Sequence, residues 1–307
     1  MILITGAGGF VGKAVHALLP DAMVPSSREL DLRDQAQVES FVGDTRPQVV
    51  VHLAARVGGI TANIARPADF LVDNLQIDSH LLAALRRHRP EHLVSMLSTC
   101  MYPDRLDDAS YPMDESLIEA GPPPPTNAAY AAAKRSLWHG TRALHDQYGV
   151  RYTALVPANL YGPGDHFGTA DSHFVAAAVH KIESARAGNA KRVEFFGTGR
   201  AIRQYVFVED LARLVETIVR KGPLDETVNV APRESKTIRE LAEATAEAAG
   251  YRGQISFEGM GPDGQMLKDV DSSRLRELVP EWDDIETPFA EGIRRTIEAY
   301  RADVAAR

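Results

Sequence analysis

Tyr130 and Lys134 stand four residues apart in a helical pattern, so their side chains share one face. A phenol titrates near pH 10 and is by itself a poor acid or base at neutral pH, but an ammonium beside it favours the phenolate and lowers that value. Ser98 ends a β-branched run, where the crevices of parallel sheets bind ligands. Its hydroxyl can polarise a carbonyl. The three together suit hydride transfer at a carbonyl carbon, with Lys134 also able to hold a ribose. The hydride carrier is indicated at the N-terminus. Gly6-Ala7-Gly8-Gly9-Phe10-Val11-Gly12 follows an apolar run and opens a helical stretch, and such a turn admits a pyrophosphate against free N–H groups. Where the next strand should end, an acidic residue would select NAD. The sequence there is Pro25-Ser26-Ser27-Arg28, so Ser27 and Arg28 favour the extra phosphate of NADP(H), with Asp31 and Leu32 expected beside the adenine.

These residues need a scaffold that brings strand ends to one edge. Short apolar runs at residues 1–5, 49–53, 93–98 and 152–156, and a weaker one at 22–24, read as strands. Helical patterns fall at 13–19, 35–43, 68–88 and 128–148. That alternation predicts an α/β fold, a Rossmann-type doubly wound parallel sheet. Candidate cofactor contacts then also fall at Leu53, Ala54, Ala55, Pro157, Asn159 and Leu160. Residues 102–126 carry Pro103, Pro112 and Pro122 to Pro125 and must be loop; a loop that long in a compact domain is usually functional. Beyond Gly162 the alternation fades. Strands are expected at 193–196 and 204–208, with a helix at 237–249 that Thr237 and Glu240 should cap. The expected division is a cofactor domain over 1–162, with a return segment near 204–232, and a smaller C-terminal α/β substrate domain over 163–307.

Bulk properties narrow the partners. The 307 residues carry a net charge of -8, which argues against nucleic acid as the main partner. Cys100 is the single cysteine, so no intrachain disulfide and no cysteine-based metal site is expected, and a reducing cytoplasm fits. No secretory signal or membrane span is expected, because the apolar runs are short.

With the glycine turn, Ser98, Tyr130 and Lys134 in place, the chain resembles the extended short-chain dehydrogenase/reductase superfamily over nearly its whole length. Further segments are more specific: Val57-Gly58-Gly59-Ile60-Thr61-Ala62-Asn63, Pro67-Ala68-Asp69-Phe70, Ser98-Thr99-Cys100-Met101-Tyr102-Pro103, Pro157-Ala158-Asn159-Leu160-Tyr161-Gly162-Pro163, Ser172-His173, Arg203 to Asp210, and Pro262-Asp263-Gly264 followed by Lys268. Together they resemble the GDP-L-fucose synthase family, which epimerises C3 and C5 of GDP-4-keto-6-deoxy-D-mannose and reduces C4 with NADPH. The resemblance implies that Ser98, Tyr130 and Lys134 are catalytic, that Cys100 and His173 exchange the C3 and C5 protons, and that the protein is a homodimer. The residue types suit that work: a thiolate can serve as base beside a ketone and histidine shuttles protons near neutrality. Dehydratases of this fold carry an Asp-Glu pair after the catalytic Ser or Thr, and Thr99-Cys100-Met101 lacks it.

Candidate substrate contacts are Asn159, Lys181, Phe196, Arg203, Asp263 and Lys268, with Arg203 the best fork for a pyrophosphate. Ala158, Leu267 and Ala7-Gly8 depart from the family pattern. Two other readings stay open: a related epimerase or reductase acting on another 4-keto nucleotide sugar, and a nicotinamide-binding regulator without turnover.

Overall fold

A computed structural model describes residues 1–168, 172–257, 259 and 264–306. From the N-terminus the chain runs through β1 (Ile2–Thr5), α1 (Phe10–Leu18), α2 (Gln35–Thr45), β2 (Val49–His52), α3 (Ile60–Ala65), α4 (Pro67–His88) and β3 (His92–Met96). It continues through α5 (Ala128–Tyr148), β4 (Arg151–Pro157), β5 (Asn159–Tyr161), α6 (Phe174–Ala187), β6 (Arg192–Phe195), β7 (Ile202–Arg203), β8 (Tyr205–Phe207), α7 (Val208–Lys221) and β9 (Glu226–Val230). Last come β10 (Lys236–Thr237), α8 (Ile238–Ala249), β11 (Gln254–Phe257), β12 (Leu267–Lys268), α9 (Ser273–Leu278), α10 (Trp282–Ile285) and α11 (Phe289–Ala305).

Five strands form the main sheet in the order β1-β2-β3-β4-β9, all parallel, with Leu3 beside Val50, Val50 beside Leu93, Leu93 beside Tyr152 and Thr153 beside Glu226. Both faces are covered, which is why these runs are apolar without alternating. Leu3, Val50 and Leu93 point to one face and pack on Val38, Val42, Leu81 and Leu85 of α2 and α4. Their neighbours Ile4, Val51 and Val94 point to the other, joining Val15 of α1 and Leu211, Leu214 and Val215 of α7. The doubly wound architecture is therefore as expected. The weak strand at 22–24 is reduced to a single bridge between Met23 and Leu3. The third strand stops at Met96, so Ser98 stands two residues past its end.

The longest helices, α4 and α5, lie side by side on one face. Gly140 permits the approach, since a Cβ there would lie 2.4 Å from Leu82 Cδ1. The proline-rich loop between β3 and α5 contains four short 3-10 turns. Arg135 of α5 pins it by donating to the carbonyls of Ile118 at 2.6 Å and Gly121 at 2.9 Å.

Beyond β5 the smaller lobe has its own core of Val175, Val179, Ile182, Phe195, Ile293 and Ile297, built from α6, α8, α11 and the parallel pair β6-β11. α8 starts with the expected capping box: the Glu240 amide donates to Thr237 Oγ1 at 3.1 Å and the Thr237 amide to Glu240 Oε2 at 2.7 Å. No helix among the described residues is long and apolar enough to cross a membrane.

Candidate active site

The glycine turn leaves β1 with Gly6 in the left-handed region at φ +74. The Gly9 amide closes it by donating to the Gly6 carbonyl at 3.0 Å. Gly9 caps α1 with no side chain, so the amides of the first turn have no side-chain acceptor. A Cβ on Gly12 would lie 2.1 Å from the Gly6 oxygen, which obliges glycine where α1 presses on the turn. A Cβ on Gly8 would meet nothing within 4 Å, which leaves open space above the loop. Bare backbone, a helix N-terminus and room above it fit a dinucleotide pyrophosphate. Phe10 and Val11 begin α1, while Leu53, Ala54 and Ala55 follow β2 beside the turn.

Ser27 and Arg28 are exposed, and Arg28 makes no hydrogen bond or ion pair among the described residues. Asp31 is committed elsewhere, accepting two bonds from the Arg33 guanidinium at 3.0 and 2.9 Å. Leu32 is buried in the core against α2 and α4. Asp31 and Leu32 remain the proposed neighbours of the adenine, at the start of the segment that leads into α2.

Tyr130 and Lys134 share a face of α5, with the ammonium 5.9 Å from the phenol ring centre. Lys134 is buried, and Nζ donates to the Met96 carbonyl at 3.0 Å, tying α5 to the end of β3. Burial pushes the lysine down from its ordinary value, with Asp78 opposing. Burial also raises the Tyr130 phenol, and the charges of Cys100 and Asp78 act in the same direction. The lowering expected from Lys134 is opposed here by burial. Asp78 belongs to a buried chain that sequence reasoning missed. Thr5 Oγ1 lies 2.7 Å from His52 Nδ1, and His52 Nε2 lies 3.0 Å from Asp78 Oδ1.

Ser98 Oγ accepts from the Cys100 amide at 3.2 Å, which fixes the turn that presents the sulfur. Asn127 Nδ2 donates to Cys100 Sγ at 2.8 Å, and Lys268 Nζ stands 4.0 Å from it. Lys268 comes from β12, in register with Arg203 of β7, so the two cations arrive side by side. Burial lowers Lys268, Cys100 counteracts, and Arg203 adds to the lowering. His173 stands at the N-cap of α6 and keeps solvent access. Desolvation lowers it, and Asp165 opposes. Asp165 is raised by burial, against the pull of the His166 amide and His173.

Lys268 links this series: Cys100 lies 4.0 Å from it and Arg203 beside it across β12 and β7, while Tyr130 feels the charge of Cys100 and His173 that of Lys268. Pro157 ends β4, and Asn159 and Leu160 follow in β5, with Asn159 Nδ2 donating to the Gln204 carbonyl at 3.3 Å.

Lys181 and Phe196 lie apart from that series. Lys181 is exposed and donates to the Glu194 carbonyl at 3.3 Å, and Phe196 is 67% exposed. Lys181 instead lies over the Phe195 ring, 5.2 Å from its centre. Asp263 falls outside the described residues. Sequence reasoning missed Asn127, Asp165 and the His52–Asp78 pair. A polar residue at a helix start, as at 127, signalled only a cap.

Residues 2–231 match the NAD dependent epimerase/dehydratase family. The GDP-L-fucose synthase of Dictyostelium discoideum is 31% identical over 97% of this chain and 94% of its own length. The probable GDP-L-fucose synthase 1 of Oryza sativa subsp. japonica is 36% identical over 99% and 92%. The crystal structure of a GDP-L-fucose synthetase from Naegleria fowleri bound to NADP superposes with a TM-score of 0.87 at 29% identity, covering 99% of this chain and 93% of that one. The chain belongs to the NAD dependent epimerase/dehydratase family, among the GDP-L-fucose synthases.

Proposed function

We propose that this protein converts GDP-4-keto-6-deoxy-D-mannose to GDP-L-fucose with NADPH, inverting C3 and C5 before reducing C4. The observation that carries the reading is two chemistries brought together, Tyr130 with Lys134 on one helix and Cys100 4.0 Å from Lys268. The near full-length likeness to GDP-L-fucose synthases supports the same substrate.

The chain's own groups divide the work as follows. The C4 ketone acidifies the hydrogens on C3 and C5, so each centre inverts if one side takes a proton and the other returns one. Cys100 Sγ takes the proton as thiolate, and the Asn127 amide and Lys268 ammonium favour that form. His173, lowered by burial but still in reach of solvent, delivers the replacement. Ser98 orients the ketone. Bound NADPH supplies the hydride for C4. Tyr130, held as a phenol, gives its proton to the C4 oxygen, so hydride plus proton completes the alcohol. Lys134, held by the Met96 carbonyl, places positive charge beside the phenol. Arg203 and Lys268 hold the substrate diphosphate, with Asn159, Lys181, Phe196 and Asp263 as further contacts along the sugar nucleotide. Gly6, Gly8, Gly9, Gly12 and Arg28 hold the NADP.

Residues 1–162 with the 204–232 return segment are proposed as the cofactor domain and 163–307 as the substrate domain. The outer groove between α4 and α5, lined by Leu82, Gly140 and Tyr148, is the proposed homodimer face. A reducing cytoplasm suits a free Cys100 that works as a base.

The test is purified protein with GDP-4-keto-6-deoxymannose and NADPH, following loss of the reduced-nicotinamide absorbance and assigning the product by NMR. GDP-L-fucose is the expected product. A product reduced at C4 without inversion, or no consumption at all, overturns the reading.

A further inference from the structure

Asn127 occupies the N-cap of α5, the helix that carries Tyr130 and Lys134, yet its side chain caps nothing. An asparagine at such a position ordinarily accepts a bond from an amide one turn ahead. Here the backbone sits at φ -139 and ψ 21, and the amide group turns away from the helix to place Nδ2 2.8 Å from Cys100 Sγ. Its Oδ1 is buried without a partner among the described residues. The side chain has therefore exchanged the usual stabilising role of its position for one bond to the only sulfhydryl in the chain. The sulfur sits on a single 3-10 turn, Thr99–Met101, whose start is fixed by Ser98. Asn127, the residue just before α5, ties that turn to the start of the catalytic helix. The same amide aims the sulfur and, as a donor, favours its negative form over the thiol.

We propose that Asn127 is the positioning residue of the epimerisation step: it orients the Cys100 sulfur toward the carbon acid and stabilises the thiolate, leaving the Tyr130–Lys134 reduction to run without it. This rests on the reading of Cys100 as the base, and it separates the two chemistries at the level of one side chain.

Because Cys100 is the single cysteine, alkylation by iodoacetamide reports on it alone, with no sugar nucleotide present. A donated bond to a charged partner is worth about tenfold or more in the charged fraction. Asn127→Ala should therefore slow alkylation at pH 7 about tenfold. The melting temperature should stay within about 2 °C, since no capping bond is lost. Asn127→Ser, which can cap but falls short of the sulfur, should show the same slow alkylation with equal or higher stability. In deuterium oxide, both variants should lose deuterium uptake at C3 and C5 about tenfold, while the already epimerised ketone is reduced at the unaltered rate. Unchanged alkylation in both variants overturns the proposal. So does a melting temperature lowered in Asn127→Ala alone with alkylation unaltered, which is the pattern of an ordinary cap. If wild-type protein exchanges no deuterium although alkylation follows the expected pattern, the substrate assignment fails and the role of Asn127 toward the sulfur stands.

Discussion

Burial holds Tyr130 as a phenol and Lys134 against the Met96 carbonyl, so the pair meets an arriving ketone with a proton to give. Tyr130→Phe keeps the ring and its edge-on packing at 6.4 Å from Phe70 while removing that proton. NADPH consumption should fall by about 10² to 10⁴, the usual contribution of a general acid, and deuterium exchange beside the ketone should continue. Cys100→Ser should do the reverse, losing exchange while leaving reduction of the already epimerised ketone. If both variants lose both activities equally, the division of labour is wrong. Ser98, Tyr130 and Lys134 were legible in the sequence because two of them share a helix face and the third follows a strand. Asn127 and Asp78 were not, because their meaning lies in partners 27 and 26 residues away. Lys268 and Cys100, separated by 168 residues, could be associated only through the family resemblance. The direction of the Tyr130 shift also depends on how dry the site is, which spacing does not reveal.

Among the elements, the parallel strands were easiest to read, since strands buried on both faces leave unbroken apolar runs. Helix α5 was read with its observed bounds. Strand ends were harder: β3 gives up its ladder at Met96 although the apolar run continues to Leu97, because the chain must turn to deliver Ser98 and Cys100. The two- and three-residue strands of the smaller lobe have no periodicity to detect. Strand β3 also carries a stability cost at low pH. His92, 3% exposed, lies 3.0 Å from Thr153 Oγ1, and burial pushes it from an ordinary 6.5 down to about 4. The unfolded chain takes up the proton first, so the native state has its full advantage above pH 6.5 and loses it as pH falls toward 4. This one group accounts for about 3 kcal/mol of that loss. Urea unfolding across that window should show the decline, and His92→Gln should flatten it. Equal slopes for the two proteins would remove His92 as the cause.

At the scale of the whole molecule, an acidic chain of net charge -8 is proposed to bind two highly anionic ligands at once. It can do so because positive character is local: the α1 amides and Arg28 at one side, Arg203 and Lys268 at the other. Ligand that binds only the native state adds about 2.7 kcal/mol at a hundredfold excess over its dissociation constant. For a chain of this size that is about 4 °C in melting temperature. NADPH should give that rise, NADH a smaller one, and Arg28→Ala should narrow the gap between them. Gly12→Ala should abolish both, since its methyl would meet the Gly6 oxygen. Equal shifts with both cofactors in wild-type protein would show that Arg28 selects nothing.

The order of strands in the main sheet also governs how the chain is made. β4 lies beside β9, and 68 residues separate the end of one from the start of the other. In that interval the chain leaves to lay down α6 and β6 and returns through α7. On a ribosome, the dinucleotide half therefore waits with one flank of β4 open until a large part of its neighbour has emerged. An open strand flank is the feature that recruits foreign strands. The consequence is vectorial: a nascent chain that stalls between residues 157 and 226 holds most of a nucleotide fold with no way to close it. The two lobes are obliged to mature together, although each has a core of its own.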